Sequence, residues 1–192
     1  MDILGAGVGL FLLLPLLVAI ALAVKTTSKG PVLFRQSRYG LNGTLFTVLK
    51  FRTMYIDKCD AAGTKQTVEN DPRVTPVGRF LRHSNFDELP QLINVLRGDM
   101  SLVGPRPHVP GMLAAGVPFE VFDGRYMDRH RVLPGITGLA QVNGFRGETK
   151  EPYHARMRVD YDLIYIEQRS LWLDIKILAM TVFNELFRRR GY

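Results

Sequence analysis

Ile3–Val24 is a run of 22 residues without one charged side chain. As a helix it extends about 33 Å, enough for a hydrocarbon core of roughly 30 Å. A small water-soluble domain has no way to cover such a surface, so the run restricts the chain to a few topologies. A cleaved secretory signal needs a positive segment ahead of it, and only Met1 and Asp2 precede, although Ala21-Leu22-Ala23 imitates a cleavage site. A single spanning helix is the simplest reading. Lys25, Lys29, Arg35 and Arg38 follow the run, so the positive-inside rule places the rest of the chain in the cytoplasm. A third topology is a re-entrant helix, entering and leaving by one face. Pro15 lies near the middle and removes a helical hydrogen bond, and Gly5, Gly7 and Gly9 soften the first half. Gly5–Gly9 is not a dinucleotide loop, because Leu10 follows and no strand precedes it.

Beyond the run the chain reads as one basic globular domain. With 46% hydrophobic residues and a net charge of +7 it is not disordered. The single cysteine, Cys59, excludes a disulfide framework and a Cys-rich zinc site. The division expected is therefore an anchor over 1–24 and a catalytic domain over 25–192. Val32–Tyr39 and Thr44–Phe51 flank Gly40–Gly43 as a β-hairpin, and 57–71 is a polar loop. Val77–Arg82 and Leu89–Leu96 read as short helices; in the second, Leu89, Leu92, Ile93 and Leu96 have the spacing of a buried face, and Gly98 stops it. The Gly- and Pro-rich stretch 98–147 is long enough for a functional loop. Leu171–Arg190 reads as a last helix with Leu171, Ile175, Leu178, Val182 and Leu186 on one stripe, ending in three arginines suited to a helix C-terminus or an anionic membrane.

Asp87-Glu88 followed by Leu89-Pro90 is the sharpest chemical signal. Pro90 fits only the first turn of a helix, so both carboxylates sit at or just before a helix N-terminus. Acids there complement the macrodipole, which by itself is a purely structural reason for them. The surroundings add another. Arg79 and Arg82 precede the pair, and Lys50, Arg52 and Arg106 stand in apolar or Gly/Pro-rich sequence instead of charge runs. Arginines at a helix start suit phosphate oxygens, two carboxylates suit Mg²⁺, and an ionised carboxylate can attack phosphorus. There is no Walker or kinase loop. The histidines show no metal spacing, and His130, between Arg129 and Arg131, is the one best placed for a ligand. Asp162 is an acid in an apolar, aromatic stretch, read simply as a helix-face acid paired with a nearby arginine.

Several ordered motifs now coincide: Phe34-Arg35-Gln36, Lys50-Phe51-Arg52-Thr53-Met54, Asn70–Val74, Gly78–Arg82, Asp87–Leu92, Asn94–Ser101, Gly104-Pro105-Arg106-Pro107, Pro134–Gly138, and Ala140–Gly144 with Arg146–Thr149. Together they resemble the bacterial sugar transferases, the monotopic polyprenyl-phosphate phosphoglycosyl transferases, in the short form that consists of the catalytic domain. Leu139 stands where that family commonly has Trp. The resemblance implies transfer of a sugar 1-phosphate, glucose or galactose, from a UDP-sugar to undecaprenyl phosphate, with release of UMP and with Mg²⁺ as cofactor. It implies Asp87 as nucleophile beside Glu88, and Asp87, Glu88 and Asp162 around the metal. Lys50, Arg52, Arg82, Arg106, His130, Gln141 and Arg146 are expected to bind substrate. It also implies a re-entrant helix broken at Pro15, which selects that topology, and a place on the cytoplasmic face of the bacterial inner membrane. The fold class expected is α+β: a mostly helical domain at the membrane interface with a small β-hairpin and the Pro-broken anchor. A non-catalytic basic lipid-binding module and a regulatory pseudo-enzyme are the rivals. Nucleic acid is excluded as a partner, since no base-reading motif or basic helix with interleaved aromatics is present.

Overall fold

The computed structural model describes residues 1–58, 71–147 and 149–188, so Cys59, Asn70, Glu148, Arg189 and Arg190 lie outside the described residues. The protein is mixed α and β; among the described residues helices dominate and there are three sheets of two strands each. It divides into two compact units. The first comprises Met1–Gln36 and Thr47–Gly98, the second Ser37–Phe46 and Asp99–Arg190.

The first unit begins with α1 (Asp2–Thr27), 26 residues long and helical on both sides of Pro15. It is the one described helix long and apolar enough to cross a membrane. Its outward face is a stripe of Leu4, Val8, Phe11, Val18 and Leu22, each at least half exposed, whereas Ala6, Ile20 and Val24 are buried. The inner face packs within its own unit. Ile20 and Val24 form a core with Phe51 and Leu81, joined by Leu16, Leu17, Val77, Phe86 and Leu89.

The end of α1 shows why it stays attached. The last turn of any helix leaves carbonyls without partners. Here Thr26 Oγ1 and Thr27 Oγ1 donate to the carbonyls of Leu22 and Ala23. Arg52 then donates from Nη1 to the Lys29 carbonyl at 2.7 Å and from Nη2 to the Ser28 carbonyl at 2.7 Å. A guanidinium only 4% exposed thus closes the chain leaving the membrane-type helix.

Strands β1 (Leu33–Tyr39) and β2 (Leu45–Phe51) form the expected hairpin around a 3-10 turn at Leu41–Gly43. In α2 (Pro76–His83), Pro76 opens the helix and the Thr75 hydroxyl accepts from Gly78 N. The short α3 (Gln91–Leu96) differs from the expected pattern. Its fully buried residues are Gln91, Asn94 and Val95, and Leu96 is 41% exposed. The reason is polar. The Asn94 side chain accepts from Leu49 N and donates to the Thr47 carbonyl, so α3 turns its amide face toward β2. The leucine face meets α1, where Leu92 lies beside Gly9.

In the second unit the Gly/Pro-rich stretch is folded throughout. Strand β3 (Ser101–Val103) pairs in parallel with β6 (Gly135–Thr137). Between them, β4 (Leu113–Ala114) and β5 (Val117–Pro118) make a tight hairpin through Ala115 and Gly116, both at positive φ. Helix α4 (Phe119–Phe122) and a 3-10 segment, Tyr126–Arg131, follow. After α5 (Leu139–Val142) come two long helices, α6 (Pro152–Gln168) and α7 (Leu171–Phe183). One core gathers Val103, Val132, Val142, Tyr165 and Ile177; another gathers Ala114, Phe119, Tyr126, Ala155 and Val159. The α7 stripe is a second departure. Leu171, Ile175 and Val182 face outward, and the buried line runs through Ile177 with Leu173, Leu178 and Met180. The helix is apolar all round, so periodicity could not choose its inner face.

Gly78 is a position where α2 touches backbone. A Cβ there would lie 2.0 Å from the Thr53 carbonyl oxygen. Gly78→Ala is therefore expected to cost about 2–3 kcal/mol in urea unfolding measured in mild detergent, despite alanine's better helix propensity.

Candidate active site

The carboxylate pair is built by the end of α2. Ser84 N bonds back to the Phe80 carbonyl and Asn85 N to that of Arg82, and Asn85 takes the left-handed conformation at φ 55 that ends helices. That reversal starts a separate 3-10 turn, Phe86–Glu88, so the dyad stands one turn ahead of α3. Pro90 caps α3 instead of lying within it. Asp87 is 9% exposed and Glu88 half-buried. From β2, Lys50 Nζ reaches Glu88 Oε1 at 2.7 Å, in a pair whose side chains are 19% and 13% exposed. From α2, Arg82 Nε donates to Thr53 Oγ1 at 2.8 Å, which fixes the stem of the guanidinium. Lys50, Arg82, Asp87 and Glu88 thus belong to the first unit, as does Arg52, whose guanidinium is engaged by the exit of α1.

The other expected residues lie in the second unit. Asp162 on α6 is 2% exposed, and its Oδ2 accepts from Arg129 Nη2 at 2.6 Å and Nε at 3.0 Å. Burial pushes the Asp162 carboxyl up, against the pull of Arg129 and Arg158. Arg129 is 1% exposed. Burial disfavours its charge, but Asp162 outweighs this and holds Arg129 protonated. One turn before Asp162, Arg158 donates to the carbonyls of Phe145 and Gly147, and burial brings it down to about 10. Arg106 is half-buried in the 104–108 segment. Gln141 Nε2 donates to the Ile136 carbonyl, leaving a buried Oε1 without a protein partner. Arg146 pairs with Glu185 at the surface.

His130 packs between the rings of Tyr39 and Tyr126, with Nδ1 against the Met127 carbonyl and a buried Nε2 without a partner. Burial, then Arg129, lowers it to about 4. His108, 1% exposed beside Tyr126, is held well below the usual histidine range by burial and by Arg129, Arg158, Arg38 and Arg106. Sequence reading passed over Arg38, His108, Arg129 and Arg158. Their only signal was arginine and histidine among prolines and aromatics, and burial is what makes them matter.

The acidic residues also indicate how a metal would be held. Among the described residues no three His, Cys, Asp or Glu side chains converge. Mg²⁺ is commonly held by one or two carboxylates with substrate phosphates completing its shell. The carboxylates of Asp87 and Glu88, consecutive in one 3-10 turn, fit that mode, with Glu88 Oε1 on Lys50; Oδ2 of Asp162 is taken by Arg129.

A carboxylate pair beside lysine and arginine, within an α+β protein led by a long apolar helix, is compatible with more than one class of protein. Comparison with known proteins identifies which. The family model described as bacterial sugar transferase matches residues 1–188, and the chain belongs to that family. It is 52% identical over 183 residues to an undecaprenyl-phosphate glucose phosphotransferase of Komagataeibacter xylinus, covering 95% of this chain and 34% of that protein. It is 48% identical over 191 residues to the exopolysaccharide production protein PSS of Rhizobium leguminosarum bv. phaseoli, covering 100% of this chain and 96% of that one. It is 50% identical over 191 residues to the UDP-glucose:undecaprenyl-phosphate glucose-1-phosphate transferase of Escherichia coli K12, covering all of this chain and 40% of that protein. The chain thus spans between about a third and nearly all of these relatives' lengths.

The neutral histidine makes a pH test possible. His130 binds no proton in the native state until about pH 4, whereas the unfolded chain takes one up near its ordinary value of 6.5. The unfolded state binds more protons in that window, so stability falls as pH drops. Lowering pH from about 7 to about 5 is expected to remove on the order of 1–2 kcal/mol through this group. His130→Gln should flatten the urea-midpoint profile between those values.

Proposed function

We propose that this chain transfers a hexose 1-phosphate from a UDP-sugar to undecaprenyl phosphate at the cytoplasmic face of the bacterial inner membrane. UDP-glucose is the donor to test first, since two of the relatives are named for glucose. The observation that carries the reading is the dyad: a buried aspartate in a 3-10 turn, next to a glutamate held by Lys50 and five residues after Arg82. In the first step an Asp87 carboxylate oxygen attacks the β-phosphorus, the bond from that phosphorus to the bridging oxygen breaks, and UMP leaves with the electron pair. In the second, a phosphate oxygen of undecaprenyl phosphate attacks the aspartyl-linked phosphorus and the Asp87 carboxylate is released. Lys50 holds Glu88 in place, and Arg82 offsets charge on the phosphates. Asp87 and Glu88 are the residues that would hold Mg²⁺, which would supply charge neutralisation to the diphosphate.

The lipid substrate accounts for α1. Its outward leucines and phenylalanine would be an aggregation hazard in water and are at home in acyl chains. The inner face supports a re-entrant path. Gly9 lies beside Leu92 of α3, and Ile20 and Val24 lie in the core of the same unit, so both halves of α1 stay with the polar domain.

Two experiments test this. With UDP-glucose and no lipid acceptor, the protein should release UMP and gain the mass of a hexose phosphate; Asp87→Asn should abolish the adduct and reduce turnover on the order of 10³-fold or more. Turnover without any adduct would make the reaction a single in-line transfer. For the anchor, Asp2→Cys in a Cys59→Ser background should be labelled by an impermeant thiol reagent only after the cytoplasmic side is opened. Labelling from outside intact spheroplasts would make α1 a span.

A further inference from the structure

The segment Gly104-Pro105-Arg106-Pro107-His108 is held in an unusual way. Gly104 N still donates to the Thr137 carbonyl of β6, but Pro105 and Pro107 have no N–H with which to continue the ladder. The segment's carbonyls are instead taken one after another from outside. Gly135 N donates to the Pro105 carbonyl at 2.9 Å, and Tyr39 N to that of His108 at 3.0 Å. Between them, Arg129 Nη2 donates to the Arg106 carbonyl at 2.8 Å, and Arg38 Nη1 to the Pro107 carbonyl at 2.9 Å. At the start of the segment backbone packs on backbone, since a Cβ on Gly135 or Gly138 would lie 2.1 or 2.2 Å from Gly104 atoms.

Two of the four donors are charged side chains, and one is fully withdrawn from water. A buried guanidinium needs a counter-charge and partners for its N–H groups. Asp162 supplies the counter-charge and orients Arg129 so that Nη2 serves both its own Oδ2 and the Arg106 carbonyl. All of these groups lie in the second unit.

We infer that Asp162, Arg129 and Arg38 are positioning residues for Arg106: they fix the main chain at 106–107 and so the direction in which the Arg106 guanidinium meets a phosphate. This rests on the function proposed above. It assigns Asp162 to the arginine and not to the metal. The carboxylate acts through two hydrogen-bonded links, Asp162 to Arg129 and Arg129 to the Arg106 carbonyl, and touches no substrate.

A double-variant cycle separates this from a merely structural ion pair, because residues acting through one another are non-additive. Dissociation constants for UDP-glucose and UMP are measured by calorimetry in detergent for the wild type, Arg38→Gln, Asp162→Asn, Arg106→Ala and the two combinations with Arg106→Ala. Each positioning change alone is expected to weaken binding of both nucleotides about tenfold, and less than about twofold once Arg106 is gone. KM should rise in step with little change in kcat, and the Mg²⁺ midpoint should stay at its wild-type value in Asp162→Asn. Losses that multiply in the combined variants overturn the inference, as does a raised Mg²⁺ midpoint in Asp162→Asn. Should Asp162→Asn fail to fold, the Arg38→Gln cycle decides alone. Wild-type protein that binds neither nucleotide defeats the functional reading itself, an outcome distinct from binding with an additive cycle.

Discussion

Buried guanidinium groups satisfied by main-chain carbonyls are the interaction on which both units depend. Arg52, Arg129 and Arg158 are each at most 4% exposed. Withdrawing such a charge from water is costly unless its donors are taken up. Each directs N–H groups to carbonyls that no regular element satisfies: Ser28 and Lys29 for Arg52, whose Nε finds no partner among the described residues, Arg106 for Arg129, which also has Asp162, and Phe145 and Gly147 for Arg158. The planar fork of arginine can hold two such oxygens at fixed angles, which a lysine could not. Irregular chain is thereby made as definite as a helix.

The same device concentrates positive charge without making it depend on pH. His108 and His130 lie among these arginines and are driven neutral by burial and by the neighbouring cations. The positive charge of this cluster therefore comes from groups that stay protonated across the physiological range. In the first unit the balance is different: Lys50 is paired with Glu88, and the dyad retains a cationic neighbourhood through Arg82. Phosphoryl transfer needs little more from a protein than positioned carboxylates and fixed positive charge.

How much of this was legible depended on whether the signal was local. The hairpin, the helix stop at Gly98 and the position of the dyad were readable because each is decided within a few residues. The buried face of α3 was not. Its leucines have helical spacing, yet Asn94 outranks them because a buried amide bridging two backbone groups of β2 fixes the helix rotation. In α7 apolar residues occupy every face, so only packing on Val103 and Tyr165 selected Ile177. The stretch 98–147 was readable as functional but not as folded, since its partners are distant: Gly135 for Pro105, Arg129 for Arg106.

The sequence by itself determined that the chain carries an apolar helix of membrane length, a basic domain and an Asp-Glu pair ahead of a short helix. These follow from composition and short-range spacing, which act before the chain is compact. Tertiary structure alone decided what each charge does. In sequence Arg52 is a cation in an apolar setting and Asp162 an acid in an apolar, aromatic stretch. In the fold Arg52 closes α1 and Asp162 secures Arg129, because a charge out of reach of water must bind whatever partners the packing brings to it.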